Sequence, residues 1–140
     1  EIGPTAAAAV PSLTTSLASD DPQVRHSACY ALGRIGPAAK GAVAALRKML
    51  QSPDDTEQLR GIWALLKILP QDAAVKQMAV PLLMGAFEDE REVVRLEAAK
   101  SLGEIGSLAR ASVPILRKAL NDESVHVREA AQAALDKIGG

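Results

Sequence analysis

One six-residue phrase recurs four times along this chain and limits what it can fold into. Ala31-Leu32-Gly33-Arg34-Ile35-Gly36 returns as Ala64-Leu65-Leu66-Lys67-Ile68-Leu69, as Ser101-Leu102-Gly103-Glu104-Ile105-Gly106 and as Ala134-Leu135-Asp136-Lys137-Ile138-Gly139. The isoleucines lie 33, 37 and 33 residues apart (35 to 68, 68 to 105, 105 to 138), and Ile2-Gly3 stands 33 residues before Ile35. Self-similarity at a period of about 20–50 residues marks a stack in which each unit hides its apolar face against its neighbours.

The second signal is helical spacing. The first helix of each repeat carries Val-Pro-x-Leu or a close variant: Val10-Pro11-Ser12-Leu13, Val43-Ala44-Ala45-Leu46, Val80-Pro81-Leu82-Leu83 and Val113-Pro114-Ile115-Leu116. Seven residues after each valine comes Leu17, Leu50, Phe87 or Leu120. Offsets of 0, +3 and +7 fall on one helix face. Proline is tolerated only in a first turn or at a kink, so Pro11, Pro81 and Pro114 predict a bend or a helix start. Polar loops follow at 19–22, 52–55, 88–90 and 121–123, rich in Asp, Ser and Asn that cap helix starts. A second helix then runs to the isoleucine, where Gly36, Gly106 or Gly139 can stop it.

The third repeat differs. Ile68 to Val80 spans 12 residues where the equivalent spans are 8, about one extra helical turn. Pro70-Gln71-Asp72 is therefore expected to open a longer first helix. The expected fold class is all-α: an α-solenoid, a right-handed stack of four antiparallel helix pairs at about 3–36, 37–69, 70–106 and 107–140. It reads as one domain cut from a longer array. Its N-terminal face, with Ala6 to Ala9, would be apolar and prone to weak self-association.

Val24-Arg25 with Ala28, Ala31-Leu32 and Ile35-Gly36 resembles the short HEAT-like repeat of phycobilisome lyase subunits. Val94-Arg95 with Ala98 and Val127-Arg128 with Ala131 repeat the match. The ankyrin and tetratricopeptide signatures do not occur. The second repeat departs from the pattern, with Glu57 and Gln58 at the Val-Arg positions and Gly61 for the alanine. The resemblance implies that the arginine ties neighbouring repeats together through loop acids. Arg25, Arg95 and Arg128 are then structural, reaching Asp21, Asp89 and Asp122 or an adjacent repeat.

Catalytic chemistry is poorly supplied. His26 and His126 occupy different repeat positions and form no His-Glu pairs, so no di-iron pattern is present. The single cysteine, Cys29, lacks companions at metal-ligand spacing and reads as a small packed thiol despite His26 one turn away. One cysteine permits no internal disulfide, which fits a reducing compartment such as the cytoplasm. No cofactor, metal or catalytic residue is assigned. A net charge of −1 gives no bulk pull toward nucleic acid. The basic pairs Arg47-Lys48 and Arg117-Lys118, with Lys40 and Arg110, read as a solvated outer face. No apolar run approaches the roughly 18 residues of a membrane span.

Aromatic residues make up only 2% of the chain, so their placement carries information. With Ala28 taken as inward, Val24, Ala31, Leu32 and Ile35 form the expected core stripe of the second helix. Positions 26, 30 and 33 lie opposite. They hold His26, Tyr30 and Gly33 in the first repeat, and Leu59, Trp63 and Leu66 in the second. In the third they hold Leu96, Lys100 and Gly103. The only Trp and the only Tyr thus share one outward position in adjacent repeats, with Gly33 and Gly103 leaving room beside them.

Trp63, Tyr30, Leu59, Leu66, Leu96 and His26 form the candidate partner-binding set, with Arg34, Arg60 and Lys67 as a basic rim. Two packings are open: Trp63 exposed to a partner, or turned inward or covered by the extra turn after Pro70. The expected function is a noncatalytic scaffold binding a protein or peptide on a concave face of second helices, an acidic amphipathic segment being the best-suited partner. An accessory or chromophore-lyase-like subunit, which the resemblance implies, is the alternative; nucleic-acid binding ranks below both.

Overall fold

The computed structural model describes residues 4–139, with side chains from residue 6; the Ile2-Gly3 remnant lies outside them. All regular structure among the described residues is helical. The chain divides into two compact units, Glu1–Val75 and Lys76–Gly140. The first unit holds α1 (Pro4–Ala7), α2 (Val10–Ser16), α3 (Pro22–Ile35), α4 (Val43–Met49) and α5 (Asp55–Ile68). The division falls inside α6 (Ala73–Gly85), and α7 (Glu92–Ile105), α8 (Val113–Ala119) and α9 (Val125–Ile138) complete the second.

The second helices α3, α5, α7 and α9 are each 14 residues long, and each ends on the repeating isoleucine. Loop side chains cap α3, α5 and α9, whereas α7 has Arg91 at its cap position and no side-chain cap. Asp21 Oδ1 accepts from the Gln23 amide at 2.9 Å, Asp54 Oδ1 from Thr56 at 2.8 Å, and Ser124 Oγ from Val127 at 3.3 Å. Their ends depend on glycine. Gly36 (φ 77°, ψ −143°) and Gly106 (φ 78°, ψ −139°) adopt a conformation that a Cβ forbids, and 3₁₀ segments Gly36–Ala42 and Gly106–Ser112 lead into α4 and α8.

The third repeat shows the alternative. Leu69 stands where Gly36 does and cannot take a positive φ, so it sits at φ −122°, ψ 64°. The chain needs more residues to turn, and Pro70-Gln71-Asp72 form that turn instead of opening the helix. Asp72 Oδ1 caps the Val75 amide at 3.0 Å, and α6 then runs unbroken from Ala73 through Pro81. Pro11 and Pro114 fall in the first turns of α2 and α8, where the missing N–H costs nothing.

Within the first unit, α3 packs against α2 and α5, and α5 against α4; within the second, α9 packs against α7 and α8. Leu32, Leu46, Ile62, Leu65 and Ile68 are among the fully buried side chains of the first unit, and Leu102, Leu116 and Val127 of the second. The core stripe of α3 is rotated from expectation. Ala28, Cys29, Leu32 and Gly33 are buried, whereas Val24 is 39% exposed. A second helix in such a stack touches the next second helix as well as its own first helix, so positions 29 and 33 become contact points.

Candidate functional site

Tyr30 and Trp63 meet between α3 and α5. Their rings stack with centroids 5.5 Å apart and planes 4° from parallel. The offset arrangement avoids repulsion between the negative ring faces. A cation covers each ring: the Arg34 guanidinium carbon lies 5.9 Å from the Tyr30 centroid, and Lys67 Nζ lies 5.8 Å from the indole. Arg34 Nη1 also donates to Tyr30 Oη at 3.1 Å. Tyr30 remains 52% exposed, while Trp63 is half-buried.

Gly33 is the seat of the indole. A methyl group built there would collide with Trp63 Cζ3 and meet Cε3 and Cη2 at 2.9 Å. Gly33 therefore does not open space beside an outward tryptophan; it lets the ring lie on the α3 backbone. Leu59, Leu66 and His26 are half-buried in the same unit. Leu96 belongs to the second unit, where it is half-buried and lines a groove between α7 and α9.

The arginines follow a rule that the sequence alone did not expose. In every repeat the residue at the Arg position donates to the backbone carbonyl six residues earlier: Arg25 to Ser19 at 2.8 Å, Gln58 to Ser52 at 2.6 Å, Arg95 to Asp89 at 3.0 Å and Arg128 to Asp122 at 2.7 Å. The side chain of that same earlier residue accepts the amide two residues on, at 3.1, 3.1, 2.8 and 2.9 Å. A polar loop is thereby closed onto its own helix from both ends. The legible signal is a Ser or Asp six positions before Arg or Gln.

Of the two expected kinds of partner, an acid of the arginine's own loop or one in an adjacent repeat, Arg25 and Arg95 take the second. Asp21 is occupied in capping α3, and Arg25 Nε instead pairs with Glu57 Oε1 at 2.5 Å, in the next repeat. Ser52 Oγ steadies that carboxylate through Oε2 at 2.8 Å, and its hydrogen bond, with Arg25's, holds Glu57 below the ordinary carboxylate range. Glu57 thus supplies a carboxylate where the position equivalent to Asp122 holds only Ser52. Asp89 pairs with Arg91 at 2.9 Å, which lowers its carboxyl to about 2, and it gives Arg95 only a carbonyl. Arg95 grips Asp122 across the repeat boundary at 2.9 and 3.1 Å. That fork holds Asp122 below its ordinary pKa and raises Arg95 above its own. Arg128 donates to the Asp122 carbonyl, and its charge adds to the lowering of that carboxyl.

Cys29 is buried and directs its Sγ to the Arg60 carbonyl at 3.0 Å; burial pushes its pKa up to about 12. Such a thiol is neither nucleophile nor ligand at neutral pH. Among the described residues, no group of three or more His, Cys, Asp or Glu side chains is placed to hold a metal. No described helix is long and apolar enough to cross a membrane. Lys40, Arg47, Lys48, Arg110, Arg117 and Lys118 are exposed.

Comparison with known proteins agrees with this architecture. No curated protein matches the chain. A crystal structure described as that of an engineered protein from a structural genomics consortium superimposes with a TM-score of 0.70 at 26% identity. The match covers 94% of this chain and 63% of that one, so the chain spans less than two-thirds of that neighbour's length. The family model for HEAT repeats matches residues 1–66 and 45–136. HEAT repeats generally serve as protein-interaction scaffolds, and their fold is typically non-catalytic. With its paired helices, closed loops and inter-repeat arginines, the chain belongs to the HEAT-repeat family and has the α-solenoid fold class of that family.

Proposed function

We propose that this chain is a noncatalytic scaffold that binds a protein segment on the second-helix surface of its first unit. Tyr30 and Trp63 are the anchors of that contact, and Leu59 and Leu66 extend it. The carrying observation is the stack itself: a half-buried indole fixes a tyrosine that remains 52% exposed, with cations at both ends. Aromatic residues dominate interface energetics because they bury large area at small cost in conformational freedom. A ring already held in place loses little more on binding. Arg34 and Lys67 favour an amphipathic segment that carries carboxylates beside its apolar face. The noncatalytic part of the reading is supported by the burial of Cys29 and by the family's typical behaviour.

Selection of a displayed random-peptide library on the folded chain tests this reading. Enriched peptides should be apolar and acidic, and should shift the NMR signals of Tyr30 and Trp63. Tyr30→Ala should weaken them by about 2 kcal/mol, the scale of an interface hot spot. Its thermal stability should stay close to wild type, because Tyr30 is largely exposed. Peptides that bind Tyr30→Ala as tightly as wild type would remove the proposal.

A further inference from the structure

We infer that the groove between α7 and α9 is a second docking slot, one that takes an aromatic side chain of a protein partner between Lys100 and Lys137. The groove holds about 460 Å³, within the size range of ligand-binding clefts. Leu96, Ala99, Ala130 and Ala133 give it apolar walls, and the two exposed lysines line it from opposite helices.

The chain itself indicates the occupant. Helices α3 and α5 stand in their repeats where α7 and α9 stand in theirs, 70 residues later, so Trp63 corresponds to Ala133, Lys67 to Lys137, Gly33 to Gly103 and Tyr30 to Lys100. In the first unit the space between paired second helices is filled by the chain's own indole under a lysine. In the second unit the lysine is retained and the indole is replaced by a methyl group. Helices α7 and α9 close part of the space themselves. A Cβ built on Gly103 would lie 3.0 Å from Ala134 Cα, whereas at Gly33 it would meet the ring. What remains is the open mouth above this contact.

Charge decides between kinds of side chain. Glu104 and Glu129 offset Lys100 and Lys137 in the lining, so a carboxylate or an ammonium entering the groove meets repulsion from one pair as well as attraction from the other. An uncharged aromatic ring avoids both conflicts. It also presents a negative face to each lysine, an attraction that an aliphatic side chain lacks. The slot lies within the second unit and does not depend on the Trp63 surface, so either reading can fail alone.

The probe is N-acetyl-L-tryptophanamide, titrated into the intact chain and followed by amide and methyl NMR. Saturable ring-current shifts are expected at Leu96, Ala130 and Ala133. Lys137→Gln should weaken binding by about two- to fivefold, the range for an exposed cation–π contact. Ala133→Trp should abolish it by filling the mouth with its own indole. Should that variant fail to fold, Lys137→Gln carries the test, because replacing an exposed lysine rarely disturbs folding. Shifts confined to residues around Tyr30, no saturation at any accessible concentration, or equal affinity in Lys137→Gln would each overturn the inference. So would equal binding and an equal response to Lys137→Gln by the cyclohexyl analogue of the probe.

Discussion

Arg95 and Arg128 occupy one repeat position, yet they do unequal work. Arg95 spans two loop carbonyls and a carboxylate of the next repeat, whereas Arg128 has a single carbonyl contact. In urea melts Arg95→Ala should therefore lose clearly more stability than Arg128→Ala, for which the loss of one hydrogen bond predicts about 1 kcal/mol. Equal losses would contradict the assignment of Arg95 as an inter-repeat tie. Acid should act through the same residues. Asp122 and Glu57 have folded pKa values below their ordinary ones. Their contribution is complete above the unfolded carboxylate range near about pH 4, and it is lost as pH falls through the folded values. Stability should thus be nearly flat from neutrality to about pH 5, drop below about pH 4, and drop less steeply in Asp122→Asn. An acid limb unchanged in that variant would show that the fork with Arg95 does not set it. Sequence alone identified the arginines, Asp122 and the option of a partner in the adjacent repeat, but it did not name Glu57. Asp21 looked available because its cap role is invisible until the helix start is placed, and Glu57 looked like an irregularity because its partner lies 32 residues away.

Helix ends and helix contacts show which elements could be read in advance. The isoleucine period located the ends of α3, α5, α7 and α9, because each marks the last buried turn before the chain must reverse. The third repeat was misread at its start. Counting extra residues predicts a longer first helix, and α6 has 13 residues against 7 in α4 and α8. The count does not reveal that Leu69 has lost the glycine conformation and needs Pro70-Gln71-Asp72 as a turn. Gly106→Ala should accordingly cost about 1–3 kcal/mol, as expected for a side chain forced to positive φ, although nothing lies within 4 Å of the added methyl group. A neutral result would show that this reversal does not require glycine. The contact between α3 and α5 gives a sharper test. Gly33→Ala should destabilise by about 1–3 kcal/mol through overpacking against the indole. In a Trp63→Ala background the same substitution should be nearly free, giving a strongly non-additive cycle. Additive losses would mean that Trp63 does not rest on Gly33.

At the level of the whole molecule, fold class was legible because one unit is written four times, and the copies agree on where the apolar positions fall. The candidate site was legible only in part. Angular counting brought Tyr30 and Trp63 together, yet it could not decide between exposure and packing. A side chain as long as tryptophan can leave its own helix face and lie across the neighbour's, and the structure gives a half-buried ring that is neither core nor free. Leu96, grouped with the aromatic pair by its repeat position, lines the α7–α9 groove of the second unit. The central claim is that a protein segment contacts the chain at the Tyr30–Trp63 stack. Because Trp63 is the only tryptophan, its emission reports that place alone. The decisive measurement is the emission of Trp63 during titration with a library-selected, tryptophan-free peptide whose binding is followed in parallel by calorimetry. The account predicts a saturable blue shift and reduced acrylamide quenching with the calorimetric midpoint. Calorimetric saturation with unchanged Trp63 emission and quenching would place the contact elsewhere and contradict it.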